Sequence, residues 1–221
     1  MNANKQMIFC DFDGTITNSD NIIAIMKKFA PKEWDEIKNQ VLSQEISIKE
    51  GVGKMFSLLP SKKKEAITEY ILGHAEIREG FNEFVAFTKE EGIPLYIVSG
   101  GIDFFVEPLL EGMIEEENIY CNGSDFDGET INILWPNECD VDCDNDCGCC
   151  KPSIIRKLVK SDTYKIVIGD SITDLEAAKL ADQVIARDFL IKKCEEHSIA
   201  FSPFETFYDV MDILKKRKVT A

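Results

Sequence analysis

Four short apolar runs constrain this chain more than any other feature. Residues 7–10, 95–98, 164–168 and 183–186 are too short for buried helices and lack the alternation of a half-exposed strand. Runs of that kind read as parallel strands covered on both faces. Helical spacing lies between them. Ile22, Ile25, Met26 and Phe29 fall at i, i+3, i+4 and i+7, and Phe81, Phe84, Val85 and Thr88 repeat the pattern ahead of the second run. Pro152 suits a first helical position, and Thr173 with Glu176 has the form of a capping box. Strands alternating with helices predict an α/β fold, a Rossmann-like parallel sheet with helices on both faces.

Two stretches break the alternation. Residues 18–80 carry helical spacing, no strand pattern and the basic run Lys62-Lys63-Lys64. About sixty residues is marginal for an independent core, so a small all-helical cap resting on a core of residues 1–17 and 81–221 is expected. Residues 121–150 hold a hairpin signal, Asp127-Gly128, and then a cysteine-rich loop. The formal charge of −15 argues against nucleic acid as a partner. No apolar run approaches the ~20 residues that span a bilayer, and residues 1–6 do not resemble a secretory signal. A cytoplasmic address without membrane attachment is therefore expected; the oligomeric state is left open. An acidic chain that handles anions must gather positive charge locally.

The chemistry gathers where the apolar runs end. Asp11 and Asp13 follow the first run, alternate along an extended chain and so project the same way, and Gly14-Thr15 permits a tight turn. A calcium loop does not fit, because positions six and twelve counted from Asp11 are Ile16 and Ile22. Ser99-Gly100-Gly101 follows the second run, Gly169-Asp170 with Asp174 follows the third, and Lys151 precedes Pro152 at a helix mouth. If the strands are parallel, all of these ends meet in one crevice at the carboxyl edge of the sheet.

The ordered set D-x-D-x-T, Ser, Lys and G-D-x-x-x-D resembles the haloacid dehalogenase superfamily. The resemblance implies that fold, a helical cap, and a Mg²⁺-dependent phosphomonoester hydrolase acting through an aspartyl-phosphate. It assigns Asp11 as nucleophile and metal ligand, the Asp13 carbonyl as second ligand with its carboxyl as general acid and base, and Asp170 as third ligand. Ser99, the amide of Gly100 and Lys151 would hold phosphate, and Asp174 would orient Lys151 or metal-bound water. Mg²⁺ suits such oxygen donors.

An all-helical insertion between the first two motifs resembles the phosphoserine phosphatase branch, which implies a small phosphorylated metabolite. There the position of Asp20 contacts substrate; Asp20 equally suits a helix N-cap. Closer likeness, carried by residues 10–20, 48–53, 80–81, 99–105 and above all 147–152, is to a family of methionine-salvage phosphatases acting on a methylthio enol phosphate. Phosphoserine or another small metabolite is the alternative. A thioether tail would need an apolar patch, which Met55, Phe56 and Leu59 could supply.

Cys139, Cys143, Cys147, Cys149 and Cys150 fall within twelve residues. Zn²⁺, a disulfide or redox pair, and reduced packed thiols all remain open, and a metal-binding module built on this loop is the non-enzyme alternative. The loop ends at Lys151, so whatever orders it also aims that lysine. Cys10, Cys121 and Cys194 read as buried thiols.

Overall fold

The computed structural model describes residues 5–220, without the side chains of residues 217–220. Seven strands form one sheet in the order β4-β3-β2-β1-β5-β6-β7. They are β1 (Gln6–Cys10), β2 (Leu95–Ile102), β3 (Ile119–Asp125), β4 (Asn132–Leu134), β5 (Tyr164–Gly169), β6 (Gln183–Ala186) and β7 (Phe201–Pro203). All neighbours pair in parallel except β3 with β4. From β1 the chain builds outward to β2 and β3, then returns to place β5 on β1's other side. That reversal creates a crevice beyond the carboxyl ends of β1 and β5.

The unbroken apolar character of β1 is explained by its central place. Ile8 and Cys10 enter the main apolar cluster with Phe84 and Ile97. Phe9 points the other way, onto Val98, Val167, Ile154 and Ile155. Cys10 lies level with Ile97 on β2 and Ile168 on β5. The ladder runs one residue further, the Asp11 amide donating to the Ile168 carbonyl at 2.9 Å.

Between β1 and β2 lie helices α1 (Asn21–Phe29), α2 (Trp34–Leu42), α3 (Ile48–Ser57), α4 (Lys64–His74) and α5 (Phe81–Glu90). Asp20 caps α1 by accepting from the Ile23 amide at 2.9 Å, and Ser47 caps α3 through the Glu50 amide at 3.0 Å. The first four helices have no separate core. Ile25, Met26, Met55, Phe56, Leu59, Ile67 and Ile71 share one cluster with Phe12, Phe104 and Phe105. Two junctions pin the insertion at its margins. Thr17 bridges Ile77, and Pro60 bridges Thr130 beyond β3, where the Ser61 amide donates to Glu129 and the Ile131 amide to Leu59.

The remaining helices are α6 (Asp103–Leu110), α7 (Lys151–Leu158), α8 (Leu175–Leu180), α9 (Asp188–Glu196) and α10 (Phe207–Thr220). No helix among the described residues is long and apolar enough to cross a membrane. The structure corrects two sequence expectations. The second strand does not stop at Val98 but continues to Ile102, because a register irregularity between Val98 and Ile102 lets it pass through Ser99-Gly100-Gly101 and pair again with β3. Such bulges re-aim side chains at functional edges. The capping box is formed by Ser171 and Asp174, not by Thr173 and Glu176: Asp174 reaches back to the Ser171 amide, a 3₁₀ turn (Ile172–Asp174) intervenes, and α8 begins at Leu175.

Candidate active site

Three strand ends and one helix mouth deliver the expected side chains to one place. Lys151, the first residue of α7, sends its Nζ to Asp11 Oδ1 at 2.7 Å and to Asp174 Oδ1 at 2.5 Å. The other oxygen of Asp174 accepts the amides of Asp170 and Ser171, at 3.1 and 3.0 Å. Both oxygens of Asp174 are thus committed, and the aim of Lys151 is set by a carboxylate itself fixed to the β5 turn. Asp170 Oδ1 accepts from Thr15 Oγ1 at 2.8 Å, tying the first motif to the last across 155 positions. Carboxylate oxygens of Asp11, Asp170 and Asp174 lie within 4.8 Å of one another.

Gly14 is required here on two grounds. Its φ is +79°, and a Cβ would stand 2.4 Å from Asp170 Oδ2. Only a glycine lets the turn after β1 fold against the β5 carboxylate.

Asp13 turns towards the insertion. Its Oδ1 accepts from the backbone and side-chain nitrogens of Asn21, at 3.0 and 2.7 Å. Its Oδ2 borders the β2 bulge, since a Cβ on Gly101 would lie 2.8 Å from it and 3.0 Å from Ser99 Oγ. Ser99 is fully buried and accepts from the Gly101 amide at 2.9 Å. A Cβ on Gly100 would meet no atom within 4 Å, so this part of the bulge faces open space.

Burial dominates the electrostatics. It raises Asp11 to about 7, with the charge of Asp174 adding and Lys151 opposing. Asp170 rises to about 8, by burial and then by the charges of Asp11 and Asp174. Asp13 is held well above the carboxylate range by burial, then by Asp20. Burial alone would lower Lys151, but Asp11 and Asp174 overcome it and hold the ammonium charged. The buried Asp11 and Asp174 and the half-buried Asp170 face one ammonium, so in their ionised forms they leave an excess of negative charge, and the donors are all oxygen. That set fits a hard divalent cation such as Mg²⁺.

Two contributors went unread in the sequence. Asn21 holds Asp13, and Arg78 braces the first motif. The Arg78 guanidinium, largely buried, donates to the carbonyls of Gly14, Thr15, Thr17 and Glu205 at 2.7–3.3 Å. Asn21 adjoins Asp20 and could have been sought there; a lone arginine 63 positions from the loop it braces carries no local signal. Asp20 performs its capping role at the edge of the site. Met55, Phe56 and Leu59 correct another expectation, for they form no open patch: each is packed into the shared core, Phe56 edge-on to Phe104 with ring centroids 6.2 Å apart.

The family model for haloacid dehalogenase-like hydrolases matches residues 8–179. A protein of Geobacillus thermodenitrificans named 2-hydroxy-3-keto-5-methylthiopentenyl-1-phosphate phosphatase is 62% identical over 218 residues, 98% of this chain and 99% of that protein. A Bacillus cereus protein of the same name is 59% identical over 94% of this chain and 95% of its own. Among solved structures, a phospho-aspartyl intermediate analogue of phosphoserine phosphatase superposes with a TM-score of 0.70 at 22% identity, covering 96% of this chain and 99% of that one. A phosphoserine phosphohydrolase-like protein from Francisella tularensis gives 0.69 at 20%, covering 94% and 99%. The structural likeness speaks for the fold. The family match, which runs from the strand before Asp11 past the acids after β5, and relatives this similar along nearly their whole length make the chain a member of the haloacid dehalogenase-like hydrolases, and a phosphatase among them.

Proposed function

We propose that this chain hydrolyses 2-hydroxy-3-keto-5-methylthiopentenyl-1-phosphate through a phosphoryl group carried on Asp11. The reaction type is supported above all by Lys151 bridging Asp11 and Asp174 beside Asp170. The substrate is supported by the names of relatives at 59–62% identity.

Asp11 Oδ attacks phosphorus as the ester oxygen leaves, forming an acyl phosphate. Asp13, whose desolvation favours the protonated form, donates to the leaving oxygen and later accepts a proton from the water that frees phosphate. Ser99 Oγ and the Gly100 amide, the latter on the open side of the bulge, hold phosphoryl oxygens, while Lys151 neutralises charge. Asp174 positions Lys151. Mg²⁺ would be held by Asp11, Asp170 and the Asp13 carbonyl, and when bound supplies the positive charge that lets a carboxylate approach a dianion. Asp11, Ser99, Lys151 and Asp174 are each at most 5% exposed. Substrate entry therefore needs the insertion, residues 18–80, to move aside as a cap, and its return excludes water. Asp20, exposed at the start of α1, lines its inner side in this proposal.

Free phosphate released from a panel containing the methylthio enol phosphate, phosphoserine and several sugar phosphates tests the reading. The methylthio compound is expected to give the highest kcat/KM, chelation to stop turnover, and Asp11→Asn to lower it on the order of a thousandfold or more. A panel led by phosphoserine would overturn the substrate, and an active Asp11→Asn protein the mechanism.

A further inference from the structure

The structure sorts the five clustered cysteines into one and four. Cys149 turns inward, 4% exposed, packed with Phe9 and Ile154 and pointing its Sγ at the Tyr120 carbonyl. The Sγ atoms of Cys139, Cys143, Cys147 and Cys150 all lie within 4.8 Å of one another. None is in a disulfide. Cys143 and Cys147 are 4.0 Å apart, sulfur to sulfur. That is about twice an S–S bond of ~2.05 Å. It is close to the edge of about 3.8 Å expected for sulfurs ~2.3 Å from a shared centre in a tetrahedron.

Hydrogen bonds reach two of the four sulfurs from outside the cluster. Ser153 Oγ donates to Cys150 Sγ at 2.9 Å, and the Cys147 amide donates to Cys139 Sγ at 3.5 Å. Such bonds orient ligand atoms from outside the coordination sphere. Other ties hold the loop from outside the sulfur cluster: Arg156 pairs with Asp140, Ser47 bonds Asp146 and Lys49 pairs with Glu138. No helix or strand lies between Leu134 and Lys151, Val141 is fully exposed, and the acids at positions 142 and 144 point outward. Loops of this length without secondary structure are uncommon, and ordered ones usually serve a function. None of the four belongs to an apolar cluster, although Cys150 is fully buried.

We propose that Cys139, Cys143, Cys147 and Cys150 form a closed structural site for a thiophilic divalent cation, zinc first. Sulfur donors separate this site from the all-oxygen one by ligand softness, so one chain can hold two kinds of divalent ion without exchange between them. Its place gives it a second consequence. Cys150 is the N-cap of α7 and Lys151 the first residue of that helix. A cation bound at Cys150 fixes the start of α7, and through it the aim of the ammonium towards Asp11.

The inference does not depend on the proposed substrate and is tested without it. Protein purified under reducing conditions is expected to carry about one zinc per chain after exhaustive dialysis. Apoprotein titrated with Co²⁺ should develop a thiolate-to-cobalt charge-transfer band that saturates at one equivalent and is unmoved by excess Mg²⁺. Cys143→Ser combined with Cys147→Ser should abolish both signals, and Cys194→Ala should keep both. Ser153→Ala, which leaves all four sulfurs, should weaken Co²⁺ binding about 10- to 100-fold. Reduced wild-type protein that holds no zinc and shows no charge-transfer band overturns the site, as does a metal-free disulfide among these four in protein purified without reductant. Retention of zinc by the double serine variant overturns it equally.

Discussion

Asp13 is the residue on which the proposed mechanism is most sharply testable. Its oxygens divide between Asn21 on one side and the Gly101 bulge on the other, so it sits between insertion and sheet rather than on Lys151. In the proposed role its proton matters most when the leaving group is a poor one. With a nitrophenyl ester, Asp13→Asn should release a burst of about one phenolate per chain and then turn over on the order of a hundredfold or more slower, because activation of the attacking water is still lost. Stopped-flow absorbance reads both phases; a uniform slowing without a burst would count against the role. Arg78 makes a structural prediction. Arg78→Met leaves several buried carbonyls without a donor and should cost on the order of 3 kcal/mol in urea unfolding, since bonds from a charged donor are the stronger kind.

At the scale of elements, much was legible and the gaps have physical causes. Four strands were readable because burial on both faces demands apolar runs, and α1 and α5 because Ile25, Met26, Phe84 and Val85 keep helical spacing. Strand β7 escaped notice, and β3 and β4 showed only through the hairpin signal at Asp127-Gly128 that joins them. β3 carries Asn122, Gly123 and Ser124, and β4 and β7 are three residues each, too short to show a period. The lysine, the serine and the acids were legible because they sit where strands end. Asn21 and Arg78 were not, since their roles come from packing between distant segments. The hairpin of β3 and β4 acquires a role that no motif announced, for its turn region grips the insertion at Pro60. If the insertion opens for substrate, the amides of Ser61 and Ile131 should exchange hydrogen faster than that of Asp11, whose bond to Ile168 lies inside the sheet. A phosphate analogue such as vanadate should slow the first two selectively. Equal exchange at all three sites would show that the junction does not open.

Across the whole molecule, net charge and site charge oppose one another. A formal charge of −15 repels a dianionic substrate at long range, while Lys151 and the divalent cation act only at short range. Raising ionic strength from about 0.01 to 0.15 M shortens the screening length from about 30 to 8 Å. At saturating Mg²⁺, kcat/KM should therefore rise severalfold over that interval, with kcat little changed. A fall instead would show that local positive charge at the mouth governs approach.

The placement of β1 between β2 and β5 also bears on when the enzyme becomes competent. Asp11 leaves the ribosome well ahead of Lys151 and of the strand that flanks it on the far side, which follow some 140 to 160 positions later. A nascent chain can pair β1 with β2 and bury the insertion well before then, yet it holds an unneutralised nucleophile. Competence arrives in a single late step, when β5 slots in beside β1, and translation products that stop short of it should be catalytically inert even where they are folded.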